Sequence, residues 1–304
     1  MRNTRGKLRK KTMVLWFILP AVLCMLLVHA IPILWGIYIS FLELDLYTIT
    51  RWTQAPFIGL ENYRQIFTSK VAVGERFLRS IYTVLIYGLI TIPAGYLLGL
   101  LGALLLNRKF VGRTLVRGLI LLPYITPDSV AYNVWRFIFQ ARIGIVNKYL
   151  LALGLIQEPL IWLVGNRALY AVIIASIWKG WPFACLILLA GLQGIDPQLY
   201  EAAKIDGASS WQQFFHITFP LLKPVSKTLL ILNLIWNFHA FNQFYILLGA
   251  EPGQAHVPST FILQEAFKNL HYGLGSAMAV VLMIVILILT AVSFRLRRGS
   301  SYEG

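Results

Sequence analysis

Apolar residues in this chain neither alternate along strands nor stripe one face of short helices. They come in long blocks separated by shorter polar stretches. A bilayer core needs about 20 consecutive apolar residues per helix. Six blocks reach that length, at 13–42, 80–106, 118–139, 168–192, 225–249 and 273–294. The pattern predicts an all-α, polytopic membrane bundle of six transmembrane helices, forming a single domain over residues 1–304. Prolines punctuate four of the blocks: Pro20 and Pro32, Pro93, Pro123 and Pro127, and Pro182. Such breakers are tolerated in a bundle when neighbours satisfy the freed backbone groups. Gly95 and Gly99 form a GxxxG in the second block, a spacing that suits close helix packing.

Composition agrees with this reading. Apolar residues make up 58% of the 304 and charged residues 13%, half the share of a soluble domain, about 25%. The net charge is +15, and its placement decides what it means. Of 27 Lys and Arg, 15 lie in the N-terminal tail, 107–117, 193–224 and the tail from Arg295; 8 lie in the opposite loops 43–78, 140–167 and 250–272. The positive-inside rule puts the first set, and both termini, in the cytoplasm of a multi-pass inner or plasma membrane protein. The basic balance therefore needs membrane lipid and no nucleic acid. The basic start followed by 13–42 exceeds a signal-peptide apolar region and reads as a retained first helix. Cys24 and Cys185 sit inside apolar blocks as core-like thiols, and the five histidines form no HExxH or Cys/His cluster, so no metal is expected.

The segment 193–224 is about 30 residues long, more than structureless loops usually reach. Asp196-Pro197 reads as an N-cap followed by Pro at the first helical position. Leu199, Ala202, Ala203 and Ile205 follow at helical spacing, and Gly207 permits a tight turn. Ser209 or Ser210 caps a second short helix with Trp211, Phe214 and Phe215 along one side, and Pro220 and Pro224 mark the start of the fifth span. An amphipathic hairpin on the membrane surface would be rich in Lys and Arg. This one carries Asp196, Glu201 and Asp206, which suits a docking surface for a soluble partner.

Glu201-Ala202-Ala203, then Gly207, then Ile217-x-Phe219-Pro220, resembles the EAA loop of binding-protein-dependent ABC importer permeases, with Phe219 where the family usually has Leu. The stretch Phe57-Ile58-Gly59-Leu60-Glu61-Asn62-Tyr63 resembles the first outer loop of the maltose-type carbohydrate importers. Leu122-Pro123-Tyr124 with Pro127 resembles their third core helix, and Trp178-x-Gly180-x-Pro182 their fourth. The short tail after Arg298 resembles the first, maltose-permease-F-like subunit, in a six-span form. The resemblance implies the type I permease fold, with coupling-helix residues Glu201, Ala202, Ala203, Asp206, Gly207, Trp211, Ile217 and Pro220 docking into an ATPase. It also implies an ATPase dimer, a second permease subunit and an extracytoplasmic solute-binding protein. The chain has no GxxxxGK[ST], so ATP and Mg belong to the partner and the chain is no enzyme. Glu201 either pairs with a basic ATPase residue or stabilises its own helix.

Transporter sites use polar groups near the midplane. The fifth span carries Asn233, Trp236, Asn237, His239, Asn242 and Gln243; 233, 236, 237, 240, 243 and 244 would share a helix face. Amides and indoles on one face suit a sugar's hydroxyls and C–H faces, and interhelical hydrogen bonding is the alternative use. The resemblance implies site positions Tyr124, Asp128, Ser176, Lys179, Gly180, Phe183, Trp236, Ala240 and Gln243, to which the fifth-span face adds Asn237. Asp128 and Lys179 either pair with each other, face a wet cavity, or serve separately as helix cap and snorkelling cation. A stand-alone secondary transporter or channel is the competing reading; it would leave the cytoplasmic hairpin without a role.

Overall fold

The computed structural model describes residues 16–68, 72–249 and 253–299, the side chains of 254 and 296–299 excepted. Among these residues the chain is helical, with one isolated β-bridge, Leu42 to Phe57. Among the described residues, five helices are long and apolar enough to cross a membrane: Trp16–Ile39, Ala72–Asn107, Arg167–Gln193, Ser210–Phe238 and Tyr272–Arg295. The chain divides into two compact units, Met1–Gly74 with Glu265–Ile284 and Glu75–Gln264 with Val285–Gly304.

In the first unit, α1 (Trp16–Ile39) runs through Pro20 and Pro32 without breaking. A π-turn at Leu26–Ala30 precedes Pro32 and accommodates the donor that the proline lacks. The chain then loops to α2 (Glu61–Phe67). Asn62 on α2 is buried and donates from Nδ2 to the Ser40 and Leu42 carbonyls at 2.9 and 3.0 Å. The Tyr63 and Ser40 hydroxyls lie 2.6 Å apart, and Phe41 packs between Phe57 and Tyr63. The 57–63 motif is thus a clasp on the end of the first span. Residues 13–15, at the start of that predicted span, lie outside the described residues.

The second unit takes up α3 (Ala72–Asn107) from Glu75 on; this helix has 36 residues, about 54 Å at 1.5 Å per residue, so it extends well beyond a hydrocarbon core. It packs along α7 (Arg167–Gln193), whose Ala184, Cys185, Leu188, Leu189 and Leu192 are buried with Leu100, Ala103 and Leu106 of α3. Lipid tails are as apolar as leucine, so such contacts rest on close packing rather than on escape from water. The close approach occurs at Gly99 and Gly102. A Cβ on Gly99 would come 2.6 Å from Ala184 Cβ, and one on Gly102 3.0 Å from Cys185 Sγ. Gly95 meets nothing within 4 Å. The packing pair is therefore Gly99 and Gly102, not the Gly95 and Gly99 of the GxxxG.

Two predicted spans are corrected. The block 118–139 is not one helix but two, α4 (Arg113–Ile125) and α5 (Asp128–Ile138). Thr126 is extended, with ψ at 129°, the geometry that the ring of Pro127 favours at the residue before it. The block 225–249 is also not one helix. Its helical path starts earlier, at Ser210, and ends at Phe238; Phe241 leaves helical geometry and α10 (Asn242–Leu248) resumes it. The freed Ala240 carbonyl accepts the Ser259 hydroxyl at 2.5 Å, which satisfies the break. Between α5 and α7, the short α6 (Ile145–Ala152) is held by Asn147, whose amide bonds Ala141, Leu160 and the Trp162 indole.

After α7 come α8 (Pro197–Ile205) and α9 (Ser210–Phe238). Asp196 caps α8 by accepting the Gln198 N–H. Gly207 has φ of +78°, a left-handed turn that costs other residues roughly 1–2 kcal/mol. Ser209 and Gln212 form a reciprocal capping box on α9. The second helix of the hairpin and the fifth span are one continuous element. It passes Pro220 and Pro224 because a π-turn at Phe214–Thr218 spans the missing donor of the first. The chain continues through α11 (Pro258–Leu263) to α12 (Tyr272–Gly299).

Candidate functional site

The break in the third block carries the chemistry. The helical partner of the Pro123 carbonyl would be the N–H of residue 127, which proline lacks. The Lys179 ammonium on α7 donates instead, to the Pro123 carbonyl at 3.4 Å and the Thr126 carbonyl at 2.6 Å. The same nitrogen lies 3.1 Å from Oδ1 of Asp128, the first residue of α5. Asp128 Oδ2 accepts from Asn242 Nδ2 of α10 at 2.9 Å. Lys179 is 13% exposed and Asp128 39%, so the pair sits half inside the protein. Low dielectric makes such a pair costly to separate and costly to leave with one member.

The pair opens onto a cavity of 490 Å³. Tyr124 of α4, Ser176 and Gly180 of α7, Trp236 and Asn237 of α9, and Gln243 of α10 line it beside Asp128 and Lys179. Phe183 does not line the cavity; its ring lies 5.3 Å centroid to centroid from both Tyr124 and Trp236, which do. Ala240 is buried away from the cavity, since its backbone forms the break after α9. The proposed common face over 233–244 therefore does not exist as one helix face. Gln243 still reaches the cavity, on α10, where its amide donates to the Tyr87 hydroxyl at 3.2 Å.

Several polar groups are already committed. Asn237 Nδ2 donates to the Val84 carbonyl at 2.9 Å, and its amide fills the space that Gly88 leaves on α3. That is the interhelical use of an amide. Asn233 and His239 bond carbonyls one turn back on their own helix. Tyr87, Thr91, Gly95, Tyr96, Tyr132 and Trp181 also line the cavity and escaped the sequence reading. The signal was present for three of them: Tyr87, Thr91 and Gly95 recur every fourth residue, so two hydroxyls and a gap share one face of an apolar helix. Among the described residues no three His, Cys, Asp or Glu side chains converge to hold a metal ion.

The hairpin of α8 and α9 is the second candidate surface. Tyr200 and Thr218 hydroxyls lie 2.9 Å apart, and Gln213 donates to the Ala208 carbonyl, so the two helices are clasped together. Glu201, Ala202, Asp206, Gly207 and Trp211 are exposed, Ala203, Ile217 and Pro220 partly so. Ile205 is 87% and Trp211 72% exposed. Trp211 and Phe215 meet edge to face at 4.7 Å. Apolar and acidic side chains stand together at the tip, without an ion pair to Glu201 or Asp206 among the described residues.

Comparison with known proteins adds independent findings. Residues 91–298 match the family model of the binding-protein-dependent transport system inner membrane component. The trehalose/maltose transport system permease protein MalF of Thermococcus litoralis is 33% identical, covering 97% of this chain and 98% of that protein. The sn-glycerol-3-phosphate transport system permease protein UgpA of Pectobacterium atrosepticum is 30% identical over the full length of both. The fold is that of a bacterial ABC transporter chain involved in import of the acidic polysaccharide alginate, with a TM-score of 0.82 at 23% identity, covering 97% of this chain and 98% of that one.

Proposed function

Because the chain belongs to the family of binding-protein-dependent transport system inner membrane components, we propose that it is the permease subunit of an ATP-binding-cassette importer whose solute is a neutral sugar. The carrying observation is the cavity at the α4–α5 break. Its two charged lining groups, Asp128 and Lys179, cancel at 3.1 Å. What remains is tyrosine hydroxyls, amides and the Tyr124 and Trp236 rings. Hydroxyls and amides donate and accept in turn, and aromatic faces take the C–H side of a pyranose. A pathway for an anionic solute would carry unpaired cations. The relative named for trehalose and maltose supports the neutral class; the one named for a phosphate ester marks the alternative.

ATP is hydrolysed by a separate ATPase dimer, with Mg bound there, and an extracytoplasmic binding protein delivers the solute. A second permease subunit completes the pathway, and both termini of this chain face the cytoplasm. The Ile205, Trp211 and Phe215 tip of the hairpin docks on the ATPase. Its motion reaches the solute through one unbroken helix. From Trp211 to Trp236 is about 38 Å at 1.5 Å per residue, so displacement at the tip moves the cavity wall directly. The sugar must bind the two facings of the cavity with different affinity for such motion to be productive.

The test is uptake into proteoliposomes holding the chain with its co-purifying subunits and binding protein. Labelled maltose or trehalose should accumulate with ATP inside and not without it. Accumulation that ignores ATP would make the chain a secondary transporter. ATP-driven uptake of glycerol phosphate in preference to the disaccharides would overturn the neutral class.

A further inference from the structure

We infer that a groove between α3, α4 and α7, separate in chemistry from the solute cavity, is a binding site for a phospholipid with an anionic headgroup. The groove encloses 720 Å³. Its walls are Leu98, Leu105, Val116 and Ile120, and Trp181 forms part of its floor. Gly102 brings the Trp181 ring against the α3 backbone, since a Cβ there would stand 3.0 Å from Trp181 Cζ3. From Leu98 to Leu106 the groove follows α3 for about 12 Å. Its interior is almost wholly apolar, the right surface for an acyl chain lying along the helix.

The mouth is cationic. Arg108 and Lys109 line it just past the last turn of α3, where an apolar span ends. Both are exposed, and neither forms an ion pair among the described residues. No Asp or Glu occurs anywhere between Glu75 and Asp128. The other two cations of this loop are turned inward: Arg113 Nε donates to the Leu106 carbonyl, and with the Gln193 amide oxygen facing them, Arg113 and Arg117 donate to it at 3.2 and 2.8 Å. Two uncompensated cations above an apolar groove, at the depth where headgroups lie, complement a phosphate with a net negative headgroup. A zwitterionic lipid offers the same chains but returns a positive charge to the mouth.

The experiment uses the transporter complex in nanodiscs and brominated lipids, which quench tryptophan on contact. The Trp181 signal is the difference between the wild type and Trp181→Phe. Two basic residues near the membrane surface should let brominated phosphatidylglycerol quench it at roughly tenfold lower mole fraction than brominated phosphatidylcholine. Arg108→Gln with Lys109→Gln, both exposed and outside the packed core, should abolish that preference while thermal unfolding stays unchanged. Equal quenching by the two lipids would overturn the proposal, as would a preference that survives the double substitution. No Trp181 quenching by either lipid would also overturn it and assign the groove to a protein segment, such as a helix of a second permease subunit.

Discussion

The Lys179 ammonium lies 3.1 Å from Asp128 Oδ1, yet the two residues are not equal partners. Lys179 also serves the Thr126 and Pro123 carbonyls, whereas Asp128 has one further donor, Asn242. Lys179→Met strands a carboxylate and two carbonyls at the helix break. Asp128→Asn leaves the lysine two acceptors. We expect Lys179→Met to cost about 2–3 kcal/mol, below the range for a fully buried pair because Asp128 is 39% exposed, and Asp128→Asn about 1 kcal/mol. Thermal unfolding of the solubilised complex measures both. Exchanging the two residues should restore only part of the lost uptake, because the donor leaves the Pro123 carbonyl; full restoration would mean that the charge pair alone matters.

Gly95 and Gly99 lie one turn apart on α3 and should respond oppositely. Gly99→Ala drives a methyl into Ala184 and the Cys185 backbone, and overpacking of this kind costs about 1–3 kcal/mol. Gly95→Leu meets open space in the cavity that we propose holds the solute. It should leave the unfolding temperature unchanged and raise the half-saturation concentration for uptake. A matching loss of stability in the two variants would rule out the assignment of Gly95 to the cavity.

Asn62 is judged by its isosteric neighbour. Asn62→Asp replaces the donor facing the Ser40 and Leu42 carbonyls with a third acceptor. It should destabilise the first unit more than Asn62→Ala, which loses the two bonds at about 1–3 kcal/mol. Limited proteolysis in the 43–56 loop reports it: cleavage should be fastest in Asn62→Asp.

Two hairpin substitutions separate shape from contact. Gly207→Val forces a β-branched residue to φ near +78°, at about 1–2 kcal/mol, and misdirects α8. Trp211→Ala removes a side chain that is 72% exposed and should leave unfolding unchanged. Both should lose the ATPase in a mild-detergent pull-down. Retention of the ATPase by Trp211→Ala would move the docking surface elsewhere.

Much of this architecture is legible along the chain because its causes are local. A lipid core requires each backbone group to be satisfied within its own helix, so long apolar blocks mark helices directly, and five of the six predicted blocks overlap a helix long enough to cross among the described residues. The hairpin is local too. Asp196, Gly207 and Ser209 act on groups a few residues away, and its caps and turn lie where their spacing places them. The 57–63 motif was visible as a motif, but not as a clasp, because the carbonyls that Asn62 holds lie about 20 residues earlier.

What the sequence determined by itself was that the chain is built of long apolar helices and how the hairpin is capped. Only the tertiary structure decided which proline breaks a helix and which residues share the cavity. Pro20, Pro93 and Pro220 each remove one donor, as Pro127 does, yet their helices continue. At Pro127 the chain bends because Lys179, more than fifty residues away, is there to take the freed carbonyls. At Ala240, with no proline at all, the helix ends where Ser259 supplies a hydroxyl. A break in a membrane helix is stable only where a distant group satisfies the backbone it exposes, and that distance is a property of the folded bundle.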